Sequence, residues 1–178
     1  MEQESKWIRA IQKHGSRSAA DRLVRSYYDE IYVFVYRQTG CKEDALDLTQ
    51  GIFMAALRSL PSYDRRKASF RTWLYRIAAN KVVDARRRAR ARMAPLEDVD
   101  VPAPEDFSAQ VRSKMLLEQI EAYVSTLDPQ VQAVFRLHLY GEKPFPEIAE
   151  ILGQTESAVK FQYYRLRDRL RKEFGPYE

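Results

Sequence analysis

One cysteine, two histidines and no long apolar run set the first limits on this 178-residue chain. Cys41 alone cannot form an internal disulfide. His14, His138 and Cys41 are too few soft ligands for a structural zinc site. No apolar stretch approaches the roughly 18 residues that a membrane span needs, and no apolar signal region follows Met1–Lys6. The chain is therefore expected to stay in the cytoplasm, with no membrane insertion of its own. The period-two alternation of a half-buried strand is missing. So are a nucleophile–base pairing, a metal-ligand cluster and a phosphate-binding loop. Neither an enzyme nor a bound cofactor is expected.

What the chain has is charge, unevenly spread. Apolar residues make up 45% and charged residues 31%, which suits packed cores under a solvated surface. The net charge is +5. Residues 1–92 carry 20 Lys/Arg against 10 Asp/Glu, residues 93–112 one Arg against five acids, and residues 113–178 nine against ten. A basic first half followed by an acidic bridge points to a polyanionic partner for the first half.

Apolar residues recur at helical spacing. Leu23, Val24, Tyr27, Tyr28, Ile31, Phe34 and Val35 form one stripe. Ala45, Leu48, Ile52, Ala55, Ala56 and Leu60 form a second, ended by Pro61. A third begins near Ser69 with Trp73, Leu74, Ile77, Ala78, Val82 and Val83. The pattern then stops where Pro95, Pro102 and Pro104 stand among acids, as in a flexible acidic linker. It resumes near Val111 with Met115, Leu116, Ile120, Tyr123, Val124 and Leu127. Asp128-Pro129 has the form of an N-cap with proline at the first helical position, and Val131, Val134, Phe135, Leu137 and Leu139 continue the core. The predicted architecture is all-α: two small helical domains, residues 1–92 and 113–178, joined by a linker over residues 93–112.

The second domain carries the clearest motif. Pro146 can open a short helix over Glu147–Leu152, Gly153 suits the left-handed turn that ends it, and Thr155 can cap a second, basic helix through Arg171. Such a pair is a helix-turn-helix, whose second helix enters the DNA major groove. Ser157, Lys160, Phe161, Gln162, Tyr164 and Arg165 stand near its start, where base edges are met. Gln can pair with adenine and a Phe ring can pack on a thymine methyl. The same basic residues also fit a solvated face, and Phe161 fits either the core or the DNA side. Tyr163 and Leu166 read as core.

Two features mark the first domain. Asp44 and Asp47 are i, i+3 neighbours on the polar side of an apolar helix. They fit a basic partner, and equally the acidic bias of a helix N-terminus. Arg86, Arg87, Arg88, Arg90 and Arg92 crowd into seven residues and repel one another without an anion. Tyr63, Phe70, Trp73 and Tyr75 precede them, and Asn80 lies one turn from Arg76. Aromatic rings beside a basic groove hold single-stranded nucleic acid. The same residues also fit a core, Trp73 in particular, with a solvated arginine end.

Taken in order, these pieces resemble the extracytoplasmic-function, or group IV, sigma factors of the sigma-70 family. Asp44-Ala45-Leu46-Asp47-Leu48-Thr49-Gln50 is similar to the family's region 2.2, Thr72–Asn80 with Asp84 and the arginines to its region 2.3–2.4, and Glu147–Leu152 through Val159-Lys160 to its region 4.2. The chain departs from the family pattern at Gly51, where an acid usually follows the glutamine. It departs again at Phe161 and Gln162, where a small residue and an arginine usually stand.

The resemblance implies a promoter-specificity factor without catalysis. Asp44, Asp47, Leu48, Gln50 and Phe53 would meet the β′ clamp helices of core RNA polymerase. Tyr75, Arg76, Asn80, Lys81, Arg86, Arg87 and Arg88 would melt and hold the promoter's −10 element. The second domain would read the −35 element as duplex and contact the β flap. An anti-sigma factor would hold the protein inactive. A helix-turn-helix regulator acting alone accounts for residues 144–172 but not for the aromatic–arginine block.

Overall fold

A computed structural model describes residues 2–92 and 109–175. Helices α1 (Glu2–His14), α2 (Arg17–Thr39), α3 (Lys42–Ser59) and α4 (Phe70–Arg92) build the first module. A short 3-10 turn, Leu60–Ser62, follows α3 where Pro61 removes a backbone donor. Helices α5 (Ala109–Val124), α6 (Pro129–Leu139), α7 (Phe145–Leu152) and α8 (Glu156–Phe174) build the second. The described residues contain no strand, so the all-α expectation holds. Residues 93–108 of the expected linker lie outside the described residues, and α5 begins at Ala109, inside the expected linker boundary.

Local chemistry sets the helix ends. The Ser16 side chain accepts from the Ala19 N–H at 3.3 Å and opens α2. Gly40, at φ 64°, closes it. Ser69 Oγ accepts from the Thr72 N–H at 3.0 Å in the first turn of α4. Asp128 caps α6 through the Gln130 N–H, with Pro129 behind it, as its sequence indicates.

The stripes meet as their spacing demands. Leu23, Ile31, Phe34 and Val35 of α2 are buried against Ala45, Ile52 and Ala56 of α3 and Leu74, Ala78 and Val82 of α4. Tyr27, Tyr63, Phe70 and Trp73 make one aromatic cluster, with ring centroids 5.1–5.8 Å apart. Helix α1 joins the core through Ile8, with Trp7 and Ile11 beside it. Its apolar residues, Trp7, Ile8, Ala10 and Ile11, fall within little more than one turn, too short a stripe to announce that helix. In the second module Val124, Val134, Leu137, Ile148, Ile151 and Val159 are fully buried. Three residues expected in that core are exposed: Met115, Leu116 and Leu139. Leu139 lies two residues beyond the buried Leu137, about half a turn round the helix.

Helix α4 joins the two modules. One side packs on α2 and α3, and the other packs on α6 and α7.

Gly51 sits inside α3, and a Cβ built there meets nothing within 4 Å. Glycine in a helix interior costs about 1 kcal/mol relative to alanine. Gly51→Ala is therefore expected to raise the unfolding free energy by about 0.5–1 kcal/mol. Urea denaturation checks this, and a loss of stability would contradict it.

Candidate nucleic-acid interface

Three exposed faces and one buried seam organise the polar residues. The first face belongs to α3. Asp44, Asp47 and Gln50 are exposed and Leu48 is half-buried. Asp44 and Asp47 form no ion pair among the described residues. With Leu48 and Gly51 they line one wall of a groove whose other wall is Lys81, Arg86 and Arg88 of α4. Phe53 corrects the expectation. It is 6% exposed and stacks on Tyr28 at 6.0 Å, because α2 covers that side of α3. The neighbouring Met54 is the exposed apolar residue there.

The second face belongs to α4. Arg76 and Asn80 are exposed, one turn apart. They line a groove with Asp84 and Arg87, and the opposite wall is Pro129, Gln130, Leu152 and Gln154 of the second module. Arg88 is exposed, Lys81 half-buried, and Arg87 pairs with Asp84 at 2.9 Å. Arg86 is half-buried and donates to the Gln38 carbonyl. Tyr75 is not available to a ligand. It is 2% exposed, and its hydroxyl donates to Glu30 at 2.8 Å. Tyr63 and Phe70 are buried too, and Trp73 is half-buried on them, so this cluster is a core before it is a stacking platform. The period of α4 turns Phe70 and Trp73 inward, and Tyr63, from the connection before α4, packs on both.

The third face belongs to α8. Gly153 holds φ +66° and Thr155 Oγ1 accepts from the Ala158 N–H at 3.2 Å, so the helix-turn-helix forms as its sequence indicates. Ser157, Lys160, Phe161, Tyr164 and Arg165 are exposed, and Phe161 reaches 65%. Phe161 is thus resolved to the surface, while Leu166 is core and Tyr163 half-buried. Gln162 turns inward. Its amide donates to Gln154 at 3.0 Å, and Gln154 donates to Gln130 at 3.2 Å. This chain of amides ties α8 to its own turn and to α6, leaving Gln162 as a poor base reader.

The seam joins the modules, and its key residues escaped the sequence reading. Arg71 binds both oxygens of Glu30, with Nε 3.0 and 3.2 Å away, and Glu147 at 2.8 Å. Lys143, only 5% exposed, lies 3.2 Å from Glu30 and 3.3 Å from Glu147, and 4.0 Å over the Tyr75 ring. Burial disfavours the Glu30 charge. The hydrogen bonds from Arg71, Tyr75 and Lys143 outweigh it and hold the carboxyl below its usual range. Nearby, the fully buried Arg136 donates to Glu121 at 3.0 Å and reaches Gln38 at 3.4 Å. Tyr140 also donates to Glu121. Arg37 pairs with Glu142 at 2.7 Å. The readable signal was a charge inside an apolar stripe: Arg136 stands between Phe135 and Leu137, and Glu30 beside Ile31.

Comparison with known proteins agrees with this geometry. The family models "Sigma-70 region 2" and "Sigma-70, region 4" match residues 23–92 and 117–170. The chain is 34% identical over 164 residues to RNA polymerase sigma factor YlaC of Bacillus subtilis, covering 88% of this chain and 92% of that protein. It is 32% identical to the ECF RNA polymerase sigma factor SigW of the same organism, covering 90% and 91%. It is 36% identical to the ECF RNA polymerase sigma factor SigE of Mycolicibacterium smegmatis over 85% of this chain, which spans only 60% of that protein. The fold is similar to CnrH solved in complex with the cytosolic domain of CnrY, at TM-score 0.57, 23% identity and 93% coverage of both chains.

The depressed Glu30 carboxyl makes stability depend on pH. Its contribution is fully present above the unfolded value near 4.5 and is lost as pH falls through the lower folded value. Wild type is therefore expected to lose more stability below about pH 4.5 than Glu30→Gln does. Parallel pH profiles of the melting temperature would refute this.

Proposed function

The chain belongs to the extracytoplasmic-function sigma factors of the sigma-70 family, transcription-initiation factors rather than enzymes, and from that premise we propose how its faces divide the work. Asp44, Asp47, Leu48 and Gln50 of α3 dock the chain on the β′ clamp helices of core RNA polymerase. Arg76, Asn80, Lys81, Arg86, Arg87 and Arg88 of α4 take the melted −10 strand. There the arginines neutralise phosphates and Asn80 reads a base edge. The exposed start of α8, with Ser157, Lys160, Phe161, Tyr164 and Arg165, reads the −35 duplex, while the second module touches the β flap.

Lys160 and Arg165 supply phosphate and base-edge contacts, and Phe161 supplies the apolar contact that suits a thymine methyl. The −35 preference then rests on Phe161 and Tyr164 rather than Gln162. The protein acts where core polymerase is, in the cytoplasm. Control by an anti-sigma factor belongs to the same reading. CnrH, which shares the fold, was captured with the cytosolic domain of CnrY.

One observation carries this reading against a lone helix-turn-helix regulator. Two separate basic helices, α4 and α8, stand on two modules, each matched to its own sigma-70 region. A regulator needs only α8.

Run-off transcription with core polymerase is the test. The chain is expected to confer specific initiation on genomic fragments. Asp47→Arg is expected to weaken the holoenzyme by about 2–5 kcal/mol without unfolding the protein, since it reverses one member of an interface charge pair. DNA binding without initiation, or an unchanged affinity of the Asp47→Arg variant for core, would overturn the assignment.

A further inference from the structure

Gln162 stands among the exposed residues that start α8, yet its side chain serves the other side of the helix. At about 100° per residue, Gln162 falls about 60° to one side of the buried Val159 and Tyr163 about 40° to the other. The two therefore flank the buried edge of α8, and each flank is held by a different kind of contact. On the Tyr163 side the contact is aromatic. Its ring lies 4.5 Å from His138 and 5.2 Å from Phe145, and the Tyr164 ring lies 6.0 Å from Phe145. On the Gln162 side the contact is a directed chain. Gln162 Nε2 donates to Gln154 Oε1 at 3.0 Å, and Gln154 Nε2 donates to Gln130 Oε1 at 3.2 Å. Both anchors are fixed at the backbone. The Gln154 N–H donates to the Ala149 carbonyl of α7 at 3.0 Å, and the Gln130 N–H donates to the Asp128 cap at 2.8 Å.

Apolar packing does not fill that flank. A cleft of about 150 Å³ remains between the start of α6 and α8, lined by Leu127, Asp128 and Val131 on one side and Phe161 and Arg165 on the other. Nor does the amide serve stability alone. Gln162 Oε1 is buried without a partner among the described residues, and an unmet buried acceptor lowers stability.

We propose that Gln162 is a positioning residue for the −35 contact: through Gln154 and Gln130 it fixes the roll of α8 about its own axis, and with it the base pairs that Phe161 and Arg165 meet. This rests on the assignment of the exposed start of α8 to the −35 duplex. An apolar flank tolerates a small roll, because dispersion contacts have no strong direction. A hydrogen bond does not, because it weakens steeply once bent. A roll of about 30° carries a side-chain tip about 6 Å from the helix axis by about 3 Å. Successive base pairs are roughly 3.4 Å apart. The amide chain thus decides register on the DNA without touching it.

Full-length variants assembled with core polymerase test this, and the probe is promoter duplex randomised over the −35 element. Gln162→Met keeps the side-chain length and removes the amide. Gln154→Ala removes the acceptor and leaves Gln162 in place. Phe161→Ala removes a reader. Thermal melting of each chain is measured alongside.

Gln162→Met and Gln154→Ala are each expected to lower the preference for the best −35 sequence over single mismatches by about threefold or more, and the double variant by no more than either alone, since both cut one link. Gln162→Met should melt no lower than wild type, because it removes the unmet acceptor, so its lost preference is not lost fold. Gln154→Ala keeps the test alive if Gln162→Met fails to fold. Loss of preference in Gln162→Met with wild-type selection by Gln154→Ala would make Gln162 a base reader and overturn the positioning role. Wild-type selection by both amide variants, with altered selection by Phe161→Ala, would overturn the positioning role alone. Unchanged selection by Phe161→Ala as well, or no −35 selection by wild type, would overturn the assignment of α8 with it.

Discussion

The arrangement of the two modules depends on one buried cation. Arg136 is completely shielded from water, and burial pushes its pKa below the usual guanidinium value, with the Glu121 carboxylate opposing that shift. An unpaired charge at such depth is intolerable, so Glu121 must lie beside it. That requirement sets α5 against α6. Glu121 has a second oxygen, taken by the Tyr140 hydroxyl. Gln38 reaches the same arginine from α2, and Arg86 approaches the same carboxylate from α4 at 4.0 Å. Arg37 then holds the Tyr140 carbonyl at 3.2 Å. A pair internal to the second module thus becomes the point on which the first module docks.

This seam differs in kind from the cores on either side of it. Inside each module the packing is mainly aliphatic and aromatic, and part of that apolar core continues between the modules. Across the seam, charges also meet charges: Arg71 with Glu147, Lys143 with Glu30, Arg37 with Glu142, and Arg86 with Glu121 at 4.0 Å. A buried ion pair is weak evidence for stability, since desolvation can cancel the Coulomb attraction. What the pairs do supply is geometry: this docking satisfies Glu30, Lys143, Glu147 and Arg71 together.

What could be read beforehand followed from periodicity and caps. The stripes from Leu23 to Val35 and from Ala45 to Leu60, the Asp128 cap and the Gly153 turn all report local rules, and each forms as those rules require. The exposure of Arg76, Asn80 and Lys160 was within reach for the same reason, whereas Phe161 fitted either side and only the packing of α8 places it at the surface. Phe53, Tyr75 and Gln162 were misjudged because each belongs to a motif whose other members face outward. Which neighbour covers a residue is a tertiary matter: α2 covers Phe53, Glu30 holds Tyr75, and Gln154 takes Gln162. The seam was illegible for a deeper reason. Glu30 and Lys143 stand 113 positions apart, and no local pattern links them. Arg136 alone carried a sign, as a charge set between Phe135 and Leu137.

The dependence on Arg136 can be measured by comparing Glu121→Gln with the paired replacement Glu121→Leu/Arg136→Met in equilibrium unfolding. Removing one partner strands a buried guanidinium and is expected to cost about 3–5 kcal/mol, whereas replacing both should cost far less or nothing. Equal losses in the two variants, or a neutral Glu121→Gln, would contradict the claim that this one buried charge dictates the docking.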